Sequence, residues 1–259
     1  MRSIWLSILG ASLLASLGTG SASAQRPDSC SALPDSSQLK TTLAAVVREG
    51  AGANSGLGNQ EWAAIANRDG VICAIVFSGP DRGSQWPGSR VVAAVKATTA
   101  NAFSTSSFAL STANLYAAAQ PGGPLYGIVT PPNAAITTSG DPNNFGQPND
   151  PMVGKATGGV IVFGGGLALY DRKGKIVGGL GVSGDTACAD HIVAWKARHA
   201  LKLDAVPLGV APGRSDNLIL DLSNGVSASG YGHPSCKGGQ PPDEILKTLN
   251  EKIPVGPNH

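Results

Sequence analysis

The spacing of apolar positions changes several times along the 259-residue chain, and each change marks an element. Over residues 38–51, Leu39, Leu43, Val46 and Val47 recur at steps of three and four, which predicts an amphipathic helix ended by a small-residue loop at 50–58. Residues 61–67 and 71–78 flank Arg68-Asp69-Gly70, and Asp-Gly between apolar runs predicts a hairpin turn. The return arm from Val71 to Phe77 is continuously apolar, as in a strand covered on both faces. Ser89 caps a predicted second helix over 90–103, whose inward stripe is Val91, Val92, Val95, Thr98, Ala102 and Phe103 and which carries Lys96. A second hairpin runs from 158–170 through Asp171-Arg172-Lys173-Gly174 to 175–183. Gly184-Asp185 caps a third helix over 186–200, and the tail holds a strand at 218–222 and a short helix at 243–252.

Helix, hairpin, helix, loop, hairpin, helix is the order of an α+β single domain, an antiparallel sheet flanked by helices. Between the second helix and the second hairpin, residues 104–120 have room for one short helix. The stretch to 151 is then broken by Pro121, Pro124, Pro131, Pro132, Pro142, Pro148 and Pro151. A loop of this length inside a domain is uncommon, and it points either to function or to an ordered surface meander at a subunit contact.

Composition narrows the classes. Charged residues are 14% and the net charge is +2 with no basic patch, which argues against nucleic acid as a partner. An apolar content of 42% excludes a disordered chain. The 35 glycines and 18 prolines follow no three-residue period, so collagen is excluded. Met1-Arg2-Ser3, an apolar run from Ile4 to Leu17 and Ala22-Ser23-Ala24 form a secretory signal peptide over 1–24. The expected protein is therefore exported, periplasmic or extracellular, with an N-terminal arm at 25–37. No later stretch has the length and apolarity of a membrane span.

An exported chain with Cys30, Cys73, Cys188 and Cys236 is expected to form two disulfides. Three pairings are open. Position favours Cys30 with Cys73, stapling the arm to a strand, and Cys188 with Cys236, tethering a Gly/Pro-rich tail. At helical spacing Cys188, His191, Trp195 and His199 share one face. The segments Cys188-Ala-Asp-His191 and His233-Pro-Ser-Cys236 would then bring two imidazoles together beside Trp195, a setting for a metal or an iron porphyrin. Two readings compete: a Cys2His2 zinc site, which an oxidising compartment opposes, and histidines that only bond loop carbonyls.

Other motifs fall short. Gly164-Gly165-Gly166 does not complete G-x-G-x-x-G and leads into a strand, and Gly181-Val182-Ser183-Gly184 misses the nucleophile elbow by one position. These glycines instead suit close packing of strands against helices or against a flat ligand. Asp190 is a poor orienter for the adjacent His191, and Asp185 suits a helix cap. Lys96 has three expected fates: an ion pair, a ligand propionate shared with Arg90, or a snorkelling stem with its amine in water, the last favoured.

Three stretches carry a family resemblance: the Asp69-Gly70 hairpin, the serine-led helix SRVVAAVKATTA at 89–100, and Gly164-Gly165-Gly166 followed by Gly178-Gly179-Leu180-Gly181-Val182-Ser183-Gly184. In this order they resemble the GlcG/HbpS-like haem-binding family, related to the C-terminal domain of PduO-type proteins, over residues 38–200. The resemblance implies a profilin-like α+β fold, assembly into homo-oligomers and binding of haem or a related tetrapyrrole, with secreted relatives sensing or sequestering haem. Leu167-Ala168 stands where the family has a proline, and the 104–151 insert and the extension 201–259 lie outside its pattern.

The leading expectation is thus an exported, non-covalent haem-binding protein, since no C-x-x-C-H attachment motif is present. Its candidate cofactor residues are His191, His233, His199, Trp195 and Lys96. The alternatives are a secreted enzyme acting on a small organic substrate under the 104–151 loop, and a structural or partner-binding oligomer without cofactor.

Overall fold

Four strands form one antiparallel sheet, β1 (Trp62–Asn67), β2 (Ile72–Phe77), β3 (Gly166–Tyr170) and β4 (Ile176–Ser183), in the order β2-β1-β4-β3. The computed structural model describes residues 26–237 and 241–256. The expected signal peptide at 1–24 lies outside them. The helices are α1 (Ser36–Val47), α2 (Gly50–Asn54), α3 (Ser89–Ala102), α4 (Ala134–Thr137), α5 (Ala187–Ala200) and α6 (Pro242–Lys252), and a small hairpin pairs β5 (Leu222–Ser223) with β6 (Val226–Ser227). Among the described residues, no helix is long and apolar enough to cross a membrane.

The sheet is covered on both sides, which is why β1 and β2 have no exposed residue. Ala63 and Ile65 of β1 face α1 and α5, together with Leu180 and Val182 of β4, Leu39 and Leu43 of α1, and Ile192 of α5. Trp62, Ala64 and Ala66 face the other way, against Ala93, Ala94 and Ala97 of α3. On that second side α3 comes unusually close. A Cβ on Gly181 would stand 2.0 Å from the Ala93 carbonyl oxygen, and one on Gly179 would stand 2.1 Å from that of Ala97. The β4 alternation therefore places leucine and valine on one face and glycine on the other, so that a helix backbone can lie on the strand.

This close approach corrects the predicted inward stripe of α3. Val95 and Thr98 are buried as expected, but Val91, Val92 and Phe103 are only half-buried and Ala102 is exposed, while Ala93, Ala97, Ala100 and Asn101 are buried. Small side chains face the sheet because the distance to β4 leaves no room for larger ones. Three boundaries also differ. The first helix stops at Val47, and part of the loop expected at 50–58 coils into α2. Residues 104–120 hold two 3-10 turns, Ala113–Leu115 and Ala117–Ala119, in place of a helix. Within 158–163, Val160 makes only an isolated bridge to Thr130, and the 218–222 strand shrinks to β5 at its end.

Local chemistry explains the remaining ends. Asp35 accepts from Gln38 N at 2.8 Å and Gln38 Oε1 accepts from Asp35 N at 3.0 Å, a reciprocal cap on α1. Thr186, in place of the expected Asp185, caps α5 by accepting from Ala189 N. The long loop is tied down by Arg90, whose Nε donates to Asp150 at 2.9 Å, while Asp150 also accepts from Gly146 N and Met152 N. Both expected disulfides are formed, Cys30–Cys73 and Cys188–Cys236.

Candidate functional site

Helix α5 presents Cys188, His191 and Trp195 along one buried face, as the spacing predicts, and the tail packs on it. Cys188 bonds Cys236, Trp195 Nε1 donates to the Ile253 carbonyl at 3.1 Å, and Arg198 grips Asp216 through two nitrogens at 2.7 and 2.8 Å. The tail is thus held to α5 at three points, by a covalent bond, an indole donor and a bidentate ion pair.

The two predicted imidazoles meet at Gly164. Its backbone N–H donates to His233 Nε2 at 3.2 Å, and the place of a Cβ on it lies 3.2 Å from His191 Cβ. Their settings differ. His233 donates from Nδ1 to the Pro234 carbonyl at 2.8 Å, so both of its nitrogens are engaged, and its ring packs 5.4 Å from that of Tyr116. His191 is sealed from solvent, and neither ring nitrogen makes a hydrogen bond of ordinary geometry; Asn217 acts on it only from outside that geometry. Burial lowers its pKa to about 3 and that of His233 to about 4, so both rings are neutral.

The other predicted residues do not join them. His199 is half-exposed, with Nδ1 2.6 Å from Asp204 Oδ2, on the surface side of α5. Lys96 is fully buried, which excludes a stem with its amine in water; Nζ donates to Asp190 Oδ2 at 2.7 Å and to the Val182 carbonyl at 2.9 Å, beneath the Phe163 ring. Arg90 is committed to Asp150, so neither cation is free for a propionate. Asp190, weighed above only as an orienter, is the partner of Lys96. It also accepts from Gly184 N and Asp185 N, which ties the first turn of α5 to the residues just after β4. Burial raises its pKa to about 6 and lowers that of Lys96, the ion pair opposing both shifts. Glu61 stands near this pair with a buried, unpartnered Oε2, and burial, followed by Asp190 and Asp185, raises its pKa well above the usual carboxylate range. It lines a cavity of about 10 Å³ with Asp185, room for one water.

A larger depression, about 550 Å³, opens where the long loop meets the tail. Its walls include Tyr116, Gln120 and Pro121 on one side and Leu222, Gly225 and Pro234 on the other. Val226 and Tyr231, on the same tail segment, are exposed apolar side chains.

The family described as haem degrading protein HbpS-like matches residues 38–199, well over half of the chain. The chain belongs to the HbpS-like family. Three solved structures align with this HbpS-like chain. The PduOC–haem complex shares 26% identity, covering 63% of this chain and 89% of its own, with a TM-score of 0.42. The Klebsiella pneumoniae protein ORFY shares 20% over 63% and 87%, at 0.41, and HbpS shares 16% over 62% and 83%, at 0.37. No curated protein matches.

In this HbpS-like chain the histidine pair and the depression are separate places, since neither His191 nor His233 lines the depression. His191 is sealed in the core, and the Nε2 lone pair of His233 is taken by the Gly164 N–H, so neither ring meets a ligand without giving up its present packing or hydrogen bond. The depression has the size of a cofactor site, and its walls mix apolar Pro121, Leu222 and Pro234 with polar Tyr116, Gln120 and Ser235, a lining that suits a flat ring with polar edges. Tyr116, which sequence reasoning did not single out, lines the depression and packs on His233. Its one signal was its place in the long loop, since no spacing relates it to His233.

Proposed function

We propose that this HbpS-like protein is an exported, non-covalent haem-binding protein that seats its ligand in the depression between the long loop and the tail. The observation that carries the reading is the family match across 38–199, the family being described by its action on haem. The depression supports the location. Pro121, Leu222 and Pro234 would supply apolar contact and Tyr116 a polar one, and the His233 ring packs against that of Tyr116. When bound, haem would supply redox and peroxide chemistry at its iron. The chain's own part is to hold the ring, keep Tyr116 in place against the His233 imidazole and limit access of water. His191 enters as the neutral imidazole behind Gly164 rather than as a contact. Two disulfides support export, since such bonds persist in oxidising compartments. Sequestration or sensing of haem outside the cytoplasm is the role this implies. Residues 38–200 form the family domain, and Leu222, Gly225, Pro234 and Ser235 of the extension complete the pocket wall.

Haemin added to the oxidised full chain should give a saturable Soret shift. Tyr116→Phe should change the shape of the band, and His233→Ala should weaken binding, whereas His199→Ala should leave both unaltered. Absence of a saturable shift would remove haem as the ligand; a shift indifferent to Tyr116 and His233 would remove the location. N-terminal sequencing of protein recovered from the medium or periplasm should begin at Gln25, and a chain that retains Met1 would defeat export by signal cleavage.

A further inference from the structure

Where the tail meets the first turn of α5, three metal-binding atoms converge. Sγ of Cys188, Sγ of Cys236 and a ring nitrogen of His233 lie within 4.8 Å of one another. While the two sulfurs are bonded together neither is a thiolate, and zinc needs thiolates. We propose that reduction of Cys188–Cys236 by a dithiol converts this junction into a zinc(II) site held by Cys188, Cys236 and His233. The dithiol supplies two electrons and two protons, the S–S bond breaks, and a disulfide forms in the reductant. Zinc then takes the two sulfurs as thiolates, and their protons pass to solvent.

Three features favour that state. First, Cys236 is half-buried whereas Cys188 is fully buried, so an incoming thiolate reaches the Cys236 sulfur and expels that of Cys188. Second, the Cys188 N–H donates to Cys236 Sγ at 3.0 Å at the N-terminus of a 14-residue helix, where backbone donors and the helix dipole stabilise a thiolate. Third, His233 donates from Nδ1 to the Pro234 carbonyl. This fixes the tautomer in which Nε2 carries the lone pair, the usual outer support of a metal-bound imidazole. The hydrogen bond that Nε2 accepts from Gly164 N, at 3.2 Å, stands at the long end of the ordinary range, and the ion would take its place. In a tetrahedral zinc site ligand atoms stand about 3.5–3.8 Å apart, so these side chains need only small rotations. The ion would replace the covalent clasp and keep the tail on α5 under reducing conditions. This inference concerns the reduced protein and is independent of haem binding by the oxidised one.

The test uses the full chain, reduced with dithiothreitol under anaerobic conditions, freed of reductant and titrated with cobalt(II) as a zinc probe. One equivalent should produce thiolate-to-cobalt charge-transfer bands and tetrahedral d–d bands, both abolished by zinc. Cys236→Ser should lose most of the charge-transfer intensity, and His233→Ala should weaken binding at least tenfold and move the d–d bands. A Cys30→Ser/Cys73→Ser variant should keep the signal. The proposal is overturned if reduced, folded protein shows no thiolate–cobalt band. It is equally overturned if the signal follows Cys30 and Cys73, if His233→Ala changes nothing, or if reduction collapses the circular dichroism and metal does not restore it.

Discussion

Lys96 Nζ lies 2.7 Å from Asp190 Oδ2 with both side chains out of solvent, so one ion pair joins the middle of α3 to the first turn of α5 across the sheet. A buried pair is worth little against an apolar replacement, but removing one partner strands the other charge, at about 3–5 kcal/mol. Lys96→Met and Asp190→Asn should each destabilise by that order. The double variant should recover a substantial part, because no lone charge remains. Urea unfolding of the four proteins measures the cycle, and additive single effects would disprove the coupling.

Gly181→Ala tests the approach of α3 to the sheet. The added Cβ would meet backbone at 2.0 Å, which no side-chain rotation relieves, so a loss of at least about 2 kcal/mol is expected from overpacking alone. Gly174→Ala, whose Cβ would meet nothing closer than 3.7 Å, should lose less, and its loss should come from its positive φ. A shift in denaturation midpoint of equal size for the two would contradict the packing argument.

The pH dependence of stability follows from the two buried imidazoles. Their folded pKa values, about 3 for His191 and about 4 for His233, lie below the unfolded value near 6.5. Between those limits the unfolded chain binds more protons. Their contribution is therefore complete above about pH 6.5 and is lost as pH falls toward 4 and then 3. Asp190, raised to about 6, acts with the opposite sign between about 4 and 6. His191→Gln should thus flatten the rise of stability from pH 4 to 6.5 by up to one proton in slope, measured by urea unfolding at several pH values. An unchanged slope would mean that His191 is not held neutral.

Cys30–Cys73 closes a loop spanning 43 residues, for which chain entropy predicts about 4 kcal/mol of stabilisation. The Cys30→Ser/Cys73→Ser variant should unfold at a correspondingly lower urea concentration at neutral pH. A loss below about 1 kcal/mol would show that the arm at 26–35 is held mainly by its packing and by the Arg26 contacts to the Cys30 and Leu33 carbonyls.

Much of this was legible in the chain itself. Periodicity placed α1, α3, α5 and both hairpins, because a strand or helix covered by apolar neighbours shows its repeat in one segment alone, whereas the short α2 and α4 fell in expected loops. The four cysteines paired as their positions suggest, and the order of elements carried the family. Tertiary structure decided the rest. No local pattern says that α3 approaches β4 closely enough to require alanine against glycine, so its inward face was misread. The same holds for Lys96, which looks like a surface lysine until Asp190, 94 residues away, is folded onto it. The α5 face of Cys188, His191 and Trp195 was visible by spacing, yet its role in clasping the tail and the facing of Tyr116 to His233 arise from segments far apart in sequence. Spacing reports which side chains share a face; what lies opposite that face is set only when remote segments close around it.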